Sequence, residues 1–293
     1  MPVFDLVTAG EAFEDLIFAG LSRLPRVGEE TRTSQFARTA GGGAIITAVA
    51  AARSGLRCRV ISALNPSAAD LLIGEGIAVT DLRRPHEPPA VSAALSTAHN
   101  RTFVTFTGVN DRLESRLFSP LRRVAARHVH FAFCPSRCVR WRPVLASLRR
   151  RRITTSWDFG WNERLLGDPG FLPLVDALDY FLLNEQEAIL YARKPRLSSA
   201  LAFWQRSTHC TVVKLGRRGS CWVSPDLDIE VPAPVVRVVD TTGAGDAFNG
   251  GFLAARLQGA PPAKALRAGN RLGALSARRA GGVDALRRGS GRR

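Results

Sequence analysis

The sequence predicts an α/β fold: a mainly parallel central sheet covered by helices on both faces, three layers in all, with a small β lid. Three observations predict it. Strand-like apolar runs alternate with helix-like runs along most of the chain, the pattern of parallel strands joined by crossover helices. The 293 residues are 45% hydrophobic and 23% charged, enough apolar material for one large core. No linker divides the chain, and the segments near 15–38 and 90–107 read as an insertion above the sheet, not a second core. The domain reading is one unit over 1–293, with 287–293 a frayed tail.

The elements follow in order. "VFDLVTA" (3–9) is a buried strand. "GGGAIITAVAAARSGL" (41–56) is a glycine turn feeding an alanine-rich helix closed by Gly55. "RVISAL" (59–64) is strand-like, and two alternating runs either side of His99–Arg101 signal a hairpin over 91–108. Strands follow at 128–133, 153–159, 178–184 and 210–216, with helices at 143–152 and 185–194 between them. "SCWVSPDLDIEVPAP" (220–234) reads as an exposed hairpin, and Val236–Asp240 as the end of another strand. Helices over 247–259, ended by Gly259 and Pro261, and over 263–282 close the chain.

Composition narrows the function classes. No apolar run approaches the roughly 18 residues of a membrane span, and the acidic start does not resemble a signal peptide. Five scattered cysteines fit a reducing cytoplasm. The net charge is +16, and all but three of the 41 basic residues are arginine. The arginine clusters at 121–128, 148–153 and 286–293 read as solvated faces. Nucleic acid is set aside, because no stacking-aromatic or zinc-finger pattern accompanies them.

The stretch "DTTGAGDAFNGG" (Asp240–Gly251) carries the chemistry. Gly243 and Gly245 leave the backbone bare before a helix, so the amides of Thr242, Gly243, Ala244 and Gly245 form a candidate anion hole. A migrating phosphoryl group suits such a pocket. Asp246 lies in the first helical turn, where it can take a proton from an attacking hydroxyl, and the helix dipole is expected to keep it ionised and weakly basic. Taken alone, the G-x-G-D motif fits a structural turn with an aspartate cap somewhat better. It is not a Walker A loop. Lys214 is a lone lysine on an apolar strand; burial without a partner is costly, which favours a phosphate beside it.

The twelve residues Asp240–Gly251 resemble the C-terminal signature of the ribokinase-like (PfkB) carbohydrate kinases. "GGGAIITAVAAARSG" resembles that family's N-terminal signature, "LLNEQEA" its N-x-x-E element and "VVKLGRRGS" its nucleotide-side strand and turn. The resemblance implies a ribokinase-like fold and transfer of the ATP γ-phosphoryl group to a hydroxyl of a sugar or sugar-like acceptor. It implies Asp246 as base and Asp15, Gly41, Gly42 and the Ile46 position on the substrate side. It places Lys214, Gly216, Gly219 and Asn270 by the nucleotide. Asn184 and Glu187 help organise Mg²⁺; apart from the resemblance they also fit a helix cap. Asp240 and Thr242 match a monovalent-cation site, often K⁺, and the lid often joins two copies. A nucleoside kinase is the alternative, and a sugar- or nucleotide-binding regulator without turnover a more distant one.

Four departures fall on the substrate side. Ile46 stands where relatives carry Asn, "ALNPSA" (63–68) replaces a Gly-x-Asp, the lid lacks a glycine next to Arg101, and "WDFGWNE" keeps Asp158 without its partner Asn. They suggest an acceptor pocket less polar than a plain sugar kinase's. His128, His130, Cys134 and Cys138 cluster in sequence, but a zinc site is set aside in favour of a core strand.

Overall fold

The computed structural model describes residues 3–97, 101–206, 210–279 and 281–286. Among them the chain runs β1 (Phe4–Gly10), β2 (Phe13–Leu21), β3 (Gln35–Gly41), α1 (Gly43–Ala52), β4 (Cys58–Ser62), α2 (Pro66–Gly74), β5 (Ala78–Asp81), β6 (Val91–Thr97), β7 (Arg101–Phe106), α3 (Leu113–Arg122), β8 (Ala126–Ala132), α4 (Arg142–Arg150), β9 (Thr154–Asp158), α5 (Phe171–Val175) and β10 (Tyr180–Asn184). It continues through α6 (Glu185–Ala192), α7 (Leu197–Trp204), β11 (Cys210–Lys214), β12 (Ser220–Ser224), β13 (Leu227–Val231), α8 (Ala244–Leu257), α9 (Pro262–Ser276) and α10 (Gly282–Ala285).

Nine of these strands form one sheet in the order β13-β12-β11-β10-β9-β8-β1-β4-β5. From β5 to β11 every pairing is parallel, and β12 and β13 add an antiparallel edge. Strand residues alternate between faces. Phe131, Trp157 and Phe181 point into a core closed by α3–α7; Leu6, Leu182 and Val212 point into a second core closed by α1, α2, α8, α9 and α10. The result is the expected three-layer sandwich.

The lid is a second sheet, β3-β2-β6-β7, in which β2 and β6 run parallel and the outer pairs antiparallel. Its inner face carries Asp15, Ile17, Thr39, Ser92 and Ala94, all buried; its outer face carries Phe36, Val104 and Phe106, all exposed. The turn of the β6–β7 hairpin, with His99, and the tail 287–293 lie outside the described residues.

Two elements differ from expectation. The 220–234 hairpin is only half exposed: β12 is buried, with Trp222 against Tyr180 and Phe252. Residues 236–240 form no strand. Pro232 and Pro234 lack amide donors, and the Val239 and Asp240 amides turn to the Ala277 carbonyl just past α9.

Candidate active site

The carboxyl ends of β1, β8, β9, β10 and β11 meet the N-termini of α1, α6 and α8 at one edge of the sheet, where ligands of open α/β folds bind. The turn before α8 is built on Gly243, which has φ +70° and caps the helix. A side chain there would be strained and would press on Ile46. Of the amides in the expected anion hole, two are committed: Thr242 donates to Asp240 Oδ1 at 2.7 Å, and Ala244 to the Thr241 carbonyl at 3.2 Å. The amides of Gly243, Gly245 and Asp246 have no protein acceptor among the described residues, as expected where a helix opens. Thr242 and Ala244 therefore drop out of the expected donor set, Gly243 and Gly245 remain, and Asp246 joins them.

Asp246 sits in the first turn of α8, with its main-chain carbonyl held by Thr47 of α1 at 3.2 Å. Gly43 makes room for its carboxylate: a β-carbon on Gly43 would lie 3.0 Å from Asp246 Oδ1. Gly41 does the same for Asp15, whose Oδ2 lies 1.9 Å from where a β-carbon would stand. The glycine run thus fits around two carboxylates, and Asp15 is close enough to help raise the pKa of Asp246.

Behind Asp246 lies a cluster that holds much of the site's charge. Lys214 Nζ donates to Asp158 Oδ2 at 2.7 Å and to Asn249 Oδ1 at 3.3 Å, and Asn249 Nδ2 donates to the same Asp158 oxygen at 2.8 Å. A β-carbon on Gly245 would lie 3.4 Å from Lys214 Nζ, so the ammonium lies directly behind the turn that opens α8. Burial opposes the Lys214 charge, but Asp158, Glu187 and Asp246 outweigh it and raise its pKa. Burial likewise opposes the Asp158 carboxylate, and Lys214 more than compensates, lowering its pKa. Glu187 and Asp246 lack that direct pairing. Desolvation, reinforced by the charge of Asp158, pushes each to about 7. Burial among acids acts on Asp246 in the direction opposite to that expected of the helix dipole.

A model of the pfkB family carbohydrate kinases matches residues 4–287. The chain belongs to the PfkB family. The ribokinase of Bacillus subtilis (strain 168) is 25% identical over 283 residues, covering 93% of this chain and 92% of that protein. The uncharacterized sugar kinase YegV of Escherichia coli (strain K12) is 29% identical over 58% of this chain, and an uncharacterized sugar kinase of Archaeoglobus fulgidus 34% over 46%. This chain spans only about half the length of those two relatives, 55% and 54%. The adenosine kinase from Sinorhizobium meliloti superposes with a TM-score of 0.80 at 21% identity over 96% of both chains, a likeness of fold.

In this PfkB-family chain, Asp15, Gly41, Lys214 and the 242–246 turn lie together at one edge of the sheet. Gly42 caps α1 and packs on the Glu11 carbonyl. Gly216, at φ +59°, faces open space beyond β11. Asn184 and Glu187 form a complete capping box on α6: Asn184 Oδ1 accepts from the Glu187 amide at 2.9 Å, and Glu187 Oε2 from the Asn184 amide at 2.8 Å. Asp240 turns its carboxylate to the Thr242 and Gly281 amides.

Other expectations are corrected. Ile46 is 2% exposed and wedged against Gly243 and Gly282, so it packs beneath the turn and lines no cleft. Asn270 is buried and gives its amide to the Val231 and Pro232 carbonyls, anchoring α9 to the end of β13. Gly219, at φ +114°, is required by the approach of the Val231 carbonyl and Ala233 amide. Asn65 caps α2, accepting from the Ala68 amide and the Ser67 hydroxyl. Lys214 has the partner that its sequence context does not reveal.

The sequence reading misses Asn249, one turn beyond Asp246 inside the same signature; a fully buried asparagine on an apolar helix face is the available signal. It also misses Glu11 and Asn110 near the β1–β2 junction. Desolvation, with Asp111, pushes Glu11 to about 6, and Asn110 donates to the Ala12 carbonyl at 3.1 Å while its Oδ1 is buried without a partner among the described residues.

Proposed function

We propose that this protein transfers the γ-phosphoryl group of ATP to a hydroxyl of a sugar or sugar-like acceptor. The observation that carries the proposal is the pairing of Asp246, raised to about 7, with unpartnered amides at the mouth of α8. A base with a pKa near neutrality is matched to its task. Asp246 accepts the acceptor hydroxyl's proton. The Gly243, Gly245 and Asp246 amides, with Lys214 behind them, meet the charge that builds on the transferring group. Asp15, on the inner face of the lid above Gly41, holds acceptor hydroxyls. The lid excludes water and limits ATP hydrolysis.

The residues present fit Mg²⁺. Asp158, Glu187 and Asp246 surround one lysine, an excess of negative charge that suits a divalent cation. Among the described residues no three His, Cys, Asp or Glu side chains form a metal cage, and Mg²⁺ is commonly held by one or two carboxylates with phosphate oxygens and waters. When bound, MgATP supplies the phosphoryl group and charge neutralisation. The Glu187 carboxylate is the group we assign to the ion, through water; Asn184 orients it.

Three finer points belong to the proposal. A monovalent cation at Asp240 and Thr242 is tested by comparing rates in K⁺ and Na⁺. A second copy of this chain is the partner proposed for the outer lid face, where Phe36, Val104 and Phe106 are 57%, 66% and 56% exposed. Location is read as cytoplasmic, where ATP and reduced thiols coexist; the five cysteines are free, and no described helix is long and apolar enough to cross a membrane. With Ile46 buried, it cannot make an acceptor pocket less polar. An ADP-release screen over sugars, sugar phosphates, sugar acids and nucleosides tests the reading, with Asp246→Asn as control. Turnover with a sugar class, lost in the control, supports it; ATP consumption with no class, or an equally active control, overturns it.

A further inference from the structure

The proposed reaction leaves a buried polar chain beneath the site unused. His128 and His130 of β8 are fully buried and pair in register with Thr154 and Ser156 of β9. Thr154 Oγ1 lies 3.1 Å from the Arg127 carbonyl, which can only accept. A hydroxyl has one proton, so at 2.8 Å Thr154 Oγ1 accepts from His128 Nδ1. The neutral His128 ring then accepts at Nε2 from Ser156 Oγ, 2.8 Å away. With its proton committed, Ser156 Oγ accepts from His130 Nδ1 at 2.8 Å. One proton order satisfies all four contacts. It leaves His130 Nε2 as a bare lone pair, buried and without a partner among the described residues.

His130 pairs in register with Ser156, so Asp158, two residues further along β9, shares its sheet face, and Asp158 and Lys214 are the charged groups that act on it; His128 shares the same strand face, and the Tyr180 ring lies 5.9 Å from His128. Burial pushes His128 down to about 3 and His130 to about 4, which keeps both rings neutral. Lys214 has three donors, of which Asp158 and Asn249 take two.

We infer that His130 is a positioning residue: the fixed proton order of Thr154–His128–Ser156–His130 presents an obligate acceptor, Nε2, to the Lys214–Asp158–Asn249 cluster and seats the Lys214 ammonium for an incoming phosphate. The effect on rate rests on the kinase reading above; the proton order does not.

Two measurements test it. Nitrogen-15 spectra of the wild-type histidines are expected to show His128 and His130 as Nδ1–H rings with unprotonated Nε2, unchanged from about pH 5 to about pH 8. An Nε2–H ring at His130, or its titration in that range, overturns the inference whether or not any acceptor is found. His130→Asn keeps a donor toward Ser156 and removes the Nε2 acceptor. It is expected to lower kcat/KM for ATP about tenfold, as the attraction between that lone pair and the Lys214 ammonium is lost, with the acceptor KM unchanged. His130→Gln, which returns an acceptor near the Nε2 position, is expected to recover most of that loss. Wild-type kcat/KM in His130→Asn, or no recovery in a folded His130→Gln, contradicts the role.

Discussion

The two faces of the central sheet are made by the same strands and hold opposite chemistry. Trp157 and Asp158 are consecutive in β9, and the period of two sends one to each side. Trp157 enters an aromatic stack, with ring centroids 4.5 Å from Phe131, 4.8 Å from Phe159 and 5.2 Å from Trp141. Asp158 enters the face under α1 and α8, where it meets Lys214 and Asn249. The first face stabilises by burying apolar area and needs no specific charge. The second holds Asp158, Glu187 and Asp246 around one lysine, a crowding that costs stability and produces carboxyls near neutrality. The comparison teaches that the aromatic face permits the acidic one.

Substitutions on either face can break that division. Asp246→Asn is expected to lower kcat by about 10³-fold, the middle of the range for a general base, without lowering the melting temperature; ADP release and thermal unfolding measure the two. Trp157→Ala is expected to do the reverse: a loss of about 3–5 kcal/mol in denaturant unfolding with kcat per folded molecule retained. Asp158→Asn joins the faces. It leaves Lys214 buried without its ion partner, a loss of about 3 kcal/mol, and it removes a charge that raises Asp246. In the wild type kcat/KM falls as pH drops below about 7, because protonated Asp246 cannot accept a proton. In Asp158→Asn that acidic limb moves to lower pH. The smallest effect is at the lid: Phe36→Ser with Val104→Ser is expected to halve the mass in light scattering while changing stability by only about 0.5 kcal/mol.

The layered fold was legible because β1, β8, β10 and β11 are apolar runs separated by glycine turns and amphipathic helices. The helices α2, α3 and α7 were less so: Pro66 opens the first, Pro120 lies inside the second, and the third has little polar contrast. The 236–240 segment looked like a strand because valines dominate it, but prolines ahead of it deny it a neighbour. At the site, the glycines and Asp246 were legible as a local pattern. The ion pair of Lys214 was not, since Asp158 lies 56 positions away and only the sheet register brings them together. Ile46 and Asn270 failed for the same reason, as a residue's position in a motif does not say whether its side chain faces a cleft or a neighbouring helix.

The central claim is that Asp246 is a carboxyl poised near neutrality by burial among acids. Carbon-13 spectra of aspartate carboxyls, comparing wild type with Asp246→Asn, test it most directly. The resonance lost in the variant is predicted to titrate with a midpoint near 7 in the wild type. A midpoint near 4, the ordinary value for an exposed aspartate, would contradict it.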